Sequence, residues 1–471
     1  MTRTEHITRR LASLAILFCL LAAGAQAALA EVPNGVACRV NVPPLQPLEL
    51  DPTFAGDGTL ELQIENTVLE YSFASKGYFD DSGDILLFGT SNPGNASFTQ
   101  GVLLRLGPDG SPGPLTEFPA QAFGCSAPRQ FFTALRLASG DYAAGGYIQG
   151  SCSGIPRWFN VLRLAPNGIR LDEFEWVRFN NQLAYVFALA EQADGKIVAS
   201  GLISQSGSDS STFDFGVARY NLDGTLDTTF AGDGTFVFDL EGGYDFAQGI
   251  AVDASGRILV GGFGTSDATD RDVLVLGLTP AGVLDPGFGN GGVFRWDRGG
   301  LLDSLGAFSL TEERILVGGS SQPDANTREM TVIAITRDGQ LDPTFAGDGV
   351  ATIPLASDAA GVSALTVGPR GHIYVAGSAE IDGTGLAARD AVVAVLQPDG
   401  TPDDAFNGGA PKVFSFGALP RDIVDDIELD ATGSLILVTG STEREDQVNR
   451  YWAAARLIGL QPGIFCDGLE P

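Results

Sequence analysis

Three observations predict an all-β protein, a seven-bladed β-propeller of four-stranded antiparallel blades closed by an N-terminal strand. The first is glycine, 62 of 471 residues, against ~7% in an average chain; so much Gly is costly inside helices. The second is an internal repeat. The phrase Leu50-Asp51-Pro52-Thr53-Phe54-Ala55-Gly56-Asp57-Gly58 returns from Leu226 to Gly234 and again from Leu341 to Gly349, with weaker copies ending at Phe118, Phe174, Phe288 and Phe406. The seven Phe positions are separated by 64, 56, 56, 58, 57 and 61 residues. The third is a β run closed by Gly, such as Arg257-Ile258-Leu259-Val260-Gly261-Gly262, which keeps the same period; its copies end at Gly89, Gly145, Gly201, Gly319, Gly377 and Gly440.

Each period holds four short strands. In the fourth they read as Gly249 to Val252 (A), Arg257 to Gly262 (B), Asp272 to Leu278 (C) and Gly292 to Trp296 (D). They are β-branched or aromatic runs punctuated by Gly, Pro, Asp and Ser, the signature of strands and turns. Four antiparallel strands repeated around an axis make a propeller blade. Seven A-B-C sets occur, but only six D strands follow them. One extra strand, Leu60 to Ile64, precedes them all, so it completes the blade begun by Ile423 to Leu457 and leaves no free edge at the seam. The C–D turns carry Gly110, Gly168, Gly224, Gly282, Gly339 and Gly400, often two residues after Pro, where Gly accepts the positive φ needed to re-enter a strand. Leu and Phe of the phrase are expected to plug the gap between blades. The phrase Asp (Asp51, Asp172, Asp227, Asp285, Asp342, Asp403) is expected to cap its own turn. Arg105, Arg163, Arg219 and Arg456 recur on C strands and either pair with that Asp or stand as exposed strand cations.

The phrases "NLDGTLDTTFAGDGT" and "TRDGQLDPTFAGDGV", with "ASGRILVGG" upstream, resemble the delta-60 repeat family of secreted bacterial proteins. The resemblance covers roughly residues 50 to 458. It implies a propeller and export, and no activity.

Composition narrows the function. Formal net charge is −30 and only three Lys are present, which excludes a nucleic-acid binder needing a basic face. Arg3, Arg9 and Arg10 precede an apolar stretch, Leu11 to Ala23, and then Ala28-Leu29-Ala30. That order predicts a secretory signal peptide cleaved near Ala30. The expected division is residues 1–30 signal peptide, 31–49 lead-in, 50–458 propeller and 459–471 a C-terminal tail. The product is expected to be secreted, periplasmic or at the cell surface, monomeric, and without a later membrane span.

Catalytic motifs are absent: no H-E-x-x-H, no Walker loop, no G-x-S-x-G elbow, and His372 is the one His beyond the leader. The expectation is therefore no enzyme, no catalytic residues and no cofactor. Strands A such as Val362 to Val367 are apolar or small, which disfavours a polar funnel. B–C and D–A loops leave one face of a blade, and the B–C loops vary, as binding loops on a rigid scaffold do. Asp267, Asp270 and Asp272 in one of them are oxygen donors suited to calcium, against a solvated acidic loop. Cys125 and Cys152 lie in loops on the same face and Cys38 and Cys466 flank the ring, so two disulfides, Cys125–Cys152 and Cys38–Cys466, are expected. The leading functional expectation is a binding or scaffold protein recognising an envelope, glycan or protein ligand. The alternatives are a carboxylate-dependent hydrolase or lyase at the channel mouth, and a purely structural surface module.

Overall fold

The structure is a computed structural model that describes residues 48–63, 72–91, 99–122, 125–149, 156–179, 183–204, 213–265, 270–299, 301–324, 327–355, 357, 359–381, 388–443 and 450–459. It opens with β1 (Thr59–Leu62). Blade one is β2 (Phe73–Phe79), β3 (Ile85–Ser91), β4 (Gln100–Leu106) and β5 (Pro112–Phe118). A small hairpin follows, β6 (Ala120–Ala122) with β7 (Cys125–Ala127). Blade two is β8 (Arg129–Arg136), β9 (Tyr142–Gln149), β10 (Arg157–Leu164) and β11 (Arg170–Glu173). Blade three is β12 (Ala184–Glu191), β13 (Ile197–Ser204), β14 (Phe213–Tyr220) and β15 (Thr235–Phe238). Blade four is β16 (Phe246–Val252), β17 (Ile258–Thr265), β18 (Arg271–Leu278) and β19 (Val293–Trp296). Blade five is β20 (Ser304–Leu310), β21 (Arg314–Asp324), β22 (Thr327–Thr336) and β23 (Val350–Thr352). Blade six is β24 (Ala360–Val367), β25 (Ile373–Ala379), β26 (Asp390–Leu396) and β27 (Lys412–Phe414). The last sheet runs β1-β30-β29-β28, with β28 (Arg421–Leu429), β29 (Leu435–Glu443) and β30 (Arg450–Ile458). The propeller thus has seven blades, and the N-terminal strand supplies the outer strand of the seventh.

The repeated phrase builds the blade-to-blade contact. All seven phrase Phe residues are buried. A Cβ at Gly282 would sit 2.6 Å from the Phe230 ring, and Phe54, Phe174 and Phe345 lie equally close beneath Gly110, Gly224 and Gly400. These four rings, and Phe288 beneath Gly339, are packed under the C–D turn of the next blade, which only Gly admits. The phrase Asp caps its turn as expected: Asp227 Oδ1 accepts the Thr229 N–H at 3.0 Å and its hydroxyl at 2.6 Å. Two of the four C-strand arginines reach that Asp. Arg219 Nε donates to Asp227 Oδ2 at 2.7 Å, and Arg456 Nε to Asp51 Oδ2 at 2.9 Å. Each also donates to a carbonyl of the next blade's turn, Pro280 and Pro108 respectively. Arg105 and Arg163 instead pair with carboxylates of their own A–B turns, Asp80 with Asp84 and Asp141. In blade six His372 takes the arginine's place, its Nε2 2.9 Å from Asp403 Oδ2.

Strand A differs from the expected plain strand. In every blade its pairing with strand B skips one residue: Ser75, Phe132, Phe187, Gln248, Gly306, Ser363 and Asp425. Each skip is a β-bulge, which bends the strand and re-aims a side chain. The glycine that closes the B-strand run faces the carbonyl just before the bulge. A Cβ on Gly89, Gly146, Gly201, Gly262, Gly319, Gly377 or Gly440 would overlap that oxygen. In blade two the residue concerned is Gly146, one beyond the Gly145 expected.

The disulfide expectation is corrected. No disulfide bond is present among the described residues. The chain draws Cys125 into the β6–β7 hairpin, where its backbone pairs with Ala122, while Cys38, Cys152 and Cys466 lie outside the described residues. The same holds for the leader, for residues 460–471 and for the B–C loop tips. No helix among the described residues is long and apolar enough to cross a membrane.

Candidate functional site at the channel mouth

The seven A strands line the axis, and alternation along them sets what faces the channel. On the side where D–A and B–C loops emerge, the first ring is Phe73, Gln130, Tyr185, Phe246, Ser304, Gly361 and Ile423. The bulge residues form the ring below it. The two rings are unequal around their circumference. From blades one to four the residues are large except Ser75. Phe132 stacks on Phe73 at 6.0 Å and on Phe187 at 5.0 Å between ring centroids, and Phe187 meets Phe246 at 4.7 Å. Tyr147 and Tyr185 extend this arc. In blades five and six the residues are small, Gly or Ser, and a cavity of about 310 Å³ opens among Ser304, Gly306, Ser320, Gly361, Ser363, Ser378 and Arg389, with Arg421 and Ile423 of blade seven. The small strand-A residues that suggested an inert channel are thus what leaves room for a ligand.

The polar side of the mouth carries the chemistry. Asp425 is the bulge residue of blade seven, in the same ring as Gly306 and Ser363. Burial, with Asp426 and Glu443 nearby, pushes its carboxyl up to about 7 against the pull of Arg450. Its Oδ2 is buried with no hydrogen-bond partner. Glu443, also buried, is held by two guanidinium groups, Arg421 Nη1 at 2.9 Å and Arg450 Nε at 2.5 Å. One carboxyl is therefore kept close to neutrality and its neighbour is clamped between cations. Such divergent environments mark acid–base pairs. Ser304 and Ser320 hydroxyls bond each other at 2.8 Å, and Ser378 Oγ accepts the Val424 N–H at 3.0 Å.

The calcium candidates separate. Asp267 lies outside the described residues. Asp270 and Asp272 do approach each other, joined by Asp297, with one oxygen of each within 4.8 Å of the others. Asp272 is fully buried, and the Arg295 Nε donates to its Oδ2 at 2.6 Å, so a guanidinium already sits where a cation would. One blade earlier Asp214 and Asp239 stand at the positions of Asp272 and Asp297 and meet Asp245 in a second cluster, with Val237 in the place of Arg295. These two groups have metal-like spacing among the described residues. A larger cavity of about 840 Å³ lies among Trp176, Arg178, Leu226, Asp233 and Val237. It is an outer groove between blades two and three, remote from the mouth where seven repeats converge.

None of Asp425, Glu443, Arg389 or Arg421 was singled out from the sequence. Asp425 is one of 58 acidic residues, and only the bulge register turns it toward the channel. The signal available was the repeated B-strand Gly, whose facing A-strand position is the bulge.

A family profile described as a domain of unknown function (DUF5122) beta-propeller matches residues 192–230 and 254–288. No curated protein matches the chain. Among solved structures, the α-L-arabinofuranosidase Arb93A from Fusarium graminearum is 15% identical, with 69% of this chain and 91% of that chain covered and a TM-score of 0.41. The β-propeller domain of the Trilobed protease from Pyrococcus furiosus is 9% identical, covering 84% and 98%, with a TM-score of 0.43. The polysaccharide lyase Uly1 is 11% identical, covering 91% and 99%, with a TM-score of 0.43. At these identities the likeness concerns the fold alone. The expectation that this chain is not an enzyme is corrected all the same: structures named as hydrolases and a lyase are among those matched, and the absence of linear motifs excludes no catalysis.

Proposed function

We propose that this propeller binds a carbohydrate chain at the channel mouth and cleaves its glycosidic linkage, as a hydrolase or a lyase, with Asp425 as the acid–base group. The observation that carries the reading is the Asp425 carboxyl, pushed up to about 7 on the strand-A bulge two residues beyond Ile423, which lines a cavity of about 310 Å³. A carboxyl titrating there can both give and take a proton near neutral pH. Glu443, clamped by Arg421 and Arg450, supplies fixed negative charge. The aromatic arc from Phe73 to Phe246 presents apolar faces of the kind that pack against sugar rings, while Ser304, Ser320 and Ser378 provide hydroxyl-matching polar groups.

The order of charge, apolar core and small residues in the leader supports export, so the substrate would be met outside the cytoplasm. The repeated phrases themselves are what supports membership of the delta-60 repeat family.

The test is release of reducing ends from a panel of neutral and acidic oligosaccharides by the full chain, beside Asp425→Asn. The expected result is turnover by the parent protein and a loss of about 10²–10⁴-fold in the variant, with sugar binding retained. Equal turnover by Asp425→Asn would overturn the catalytic role. Binding without turnover of any sugar would leave a lectin-like module instead.

A further inference from the structure

Aligning the blades on their bulge glycines reveals a second ring. Three residues before the C-strand partner of each glycine stand Thr99, Arg157, Phe213, Arg271, Arg328, Arg389 and Arg450. Five of these seven are Arg, in a chain where acids outnumber bases by 30. They sit at the start of strand C, on the rim where B–C and D–A loops emerge. Arg157 lies over Tyr147 and Tyr185, and Arg450 over Phe73, so both lean on the aromatic arc. Arg389 lines the small-residue cavity together with Arg421. Arg271 lies over Phe263.

Internal pairing leaves some donors of this ring, and of Arg421 beside it, unused. The Nε atoms of Arg157, Arg271, Arg389 and Arg421 are buried and have no hydrogen-bond partner. Burial, Arg421 and Arg328 together hold Arg389 below its ordinary range against the pull of Glu380 and Glu443, and burial with Arg328 does the same for Arg271 against Tyr244. Arg450 and Arg421 share the carboxylate of Glu443. Buried guanidinium groups with open donors, set beside like charges, are stabilised by an incoming anion, and their planar fork suits a carboxylate.

From this arrangement we infer that the carbohydrate taken at the channel mouth is acidic: a uronate-bearing chain whose carboxylate is gripped by Arg389 and Arg421, with Arg328 beside them. The inference rests on the carbohydrate reading above and adds the substrate class. The aromatic arc takes the neighbouring sugar faces, and Arg157 and Arg450 extend the basic rim along the chain.

The experiment is calorimetric binding of the full chain to oligogalacturonates, to sulfated oligosaccharides and to neutral arabino-oligosaccharides of equal length, repeated with Arg389→Gln and Arg328→Gln. Oligogalacturonate should bind at least about tenfold more tightly than the neutral chain, since a charge-assisted contact is worth that much. Its affinity should fall with added salt, and each substitution should lower it about tenfold or more, well beyond any loss of neutral binding. Arg389→Lys, which keeps the charge and loses the fork, should restore only part. Neutral chains binding as tightly as acidic ones would overturn this inference and leave the carbohydrate reading standing. Preference for the sulfated chain over oligogalacturonate would overturn the carboxylate assignment. Failure of every sugar to bind would remove both readings. Should Arg389→Gln fail to fold, the wild-type salt dependence and the partly exposed Arg328→Gln still decide the matter.

Discussion

Gly201 faces the carbonyl of Tyr185 so closely that any side chain would overlap it. That one contact explains why a glycine closes the B-strand run in every blade: the bulge of strand A thrusts a carbonyl into the space where a Cβ would stand. Gly201→Ala must therefore push β12 from β13 or flatten the bulge that presents Phe187. Destabilisation of about 3 kcal/mol is expected from such overpacking, read by denaturant unfolding. An alanine variant as stable as the parent would mean that the bulge is dispensable. The glycine was legible in the sequence as a repeat mark, but its cause was not, because a bulge leaves no mark in the alternation of neighbouring residues. Asp227 shows the opposite case. Its turn-capping role followed from spacing alone, and the structure adds that, although burial opposes it, Lys196, Thr229 and Arg219 hold its carboxyl below the ordinary range.

At the scale of elements, the ring depends on β1. Its residues pair with β30 from Thr59↔Ala455 to Leu62↔Trp452, and the segment before it adds Leu48 N–H to Ile458 O at 2.8 Å and Asp51 N–H to Arg456 O at 2.8 Å. Asp51 also receives the Arg456 guanidinium in the same manner as Asp227 receives Arg219. The seam is thus built like an ordinary C–D contact, although its two halves lie some 400 positions apart in the chain. Removing residues 48–66 should unpair the outer edge of β30, strip the partner of the buried Arg456, and yield a protein that aggregates and melts at lower temperature. A soluble monomer with unchanged melting would contradict closure by this strand. Strand counting alone was enough to anticipate the seam. The β6–β7 hairpin was not anticipated, and it takes Cys125 into local pairing.

At the scale of the whole molecule, charge and burial combine to set the pH response. Burial pushes Asp245 and Asp425 up to about 7, and Asp303 and Asp422 up to about 6. On the channel side of blade seven, Glu428 is also pushed up to about 7 by burial and by Asp426. These groups keep protons in the folded state that the unfolded chain gives up near pH 4, so the native state binds more protons and stability falls as pH rises from there through about 7. The turn carboxylates Asp51, Asp80, Asp253 and Asp342 are held below their ordinary range, so their contribution is lost only as pH falls below about 4. Melting temperature should therefore be higher at about pH 5 than at about pH 8. A rise across that interval would show that the raised carboxyls do not govern stability. Self-repulsion in a chain of net charge −30 acts in the same direction.

The sequence by itself determined the number of blades, the strand count in each, the strand that closes the ring, the Phe plugs between blades and the capping role of the phrase Asp. All of these depend on local patterns repeated at a fixed period, and a period survives in one dimension. Only the tertiary structure decided the site. Asp425 turns inward because of a bulge, Glu443 is clamped by arginines from two strands, and the arginine ring becomes visible only when the blades are aligned by pairing register. The cavity forms because Gly306, Gly361 and Ser363 share an arc opposite Phe132 and Phe187. The cavity and the arginine ring join residues more than a hundred positions apart, and it is closure of the ring that brings them face to face.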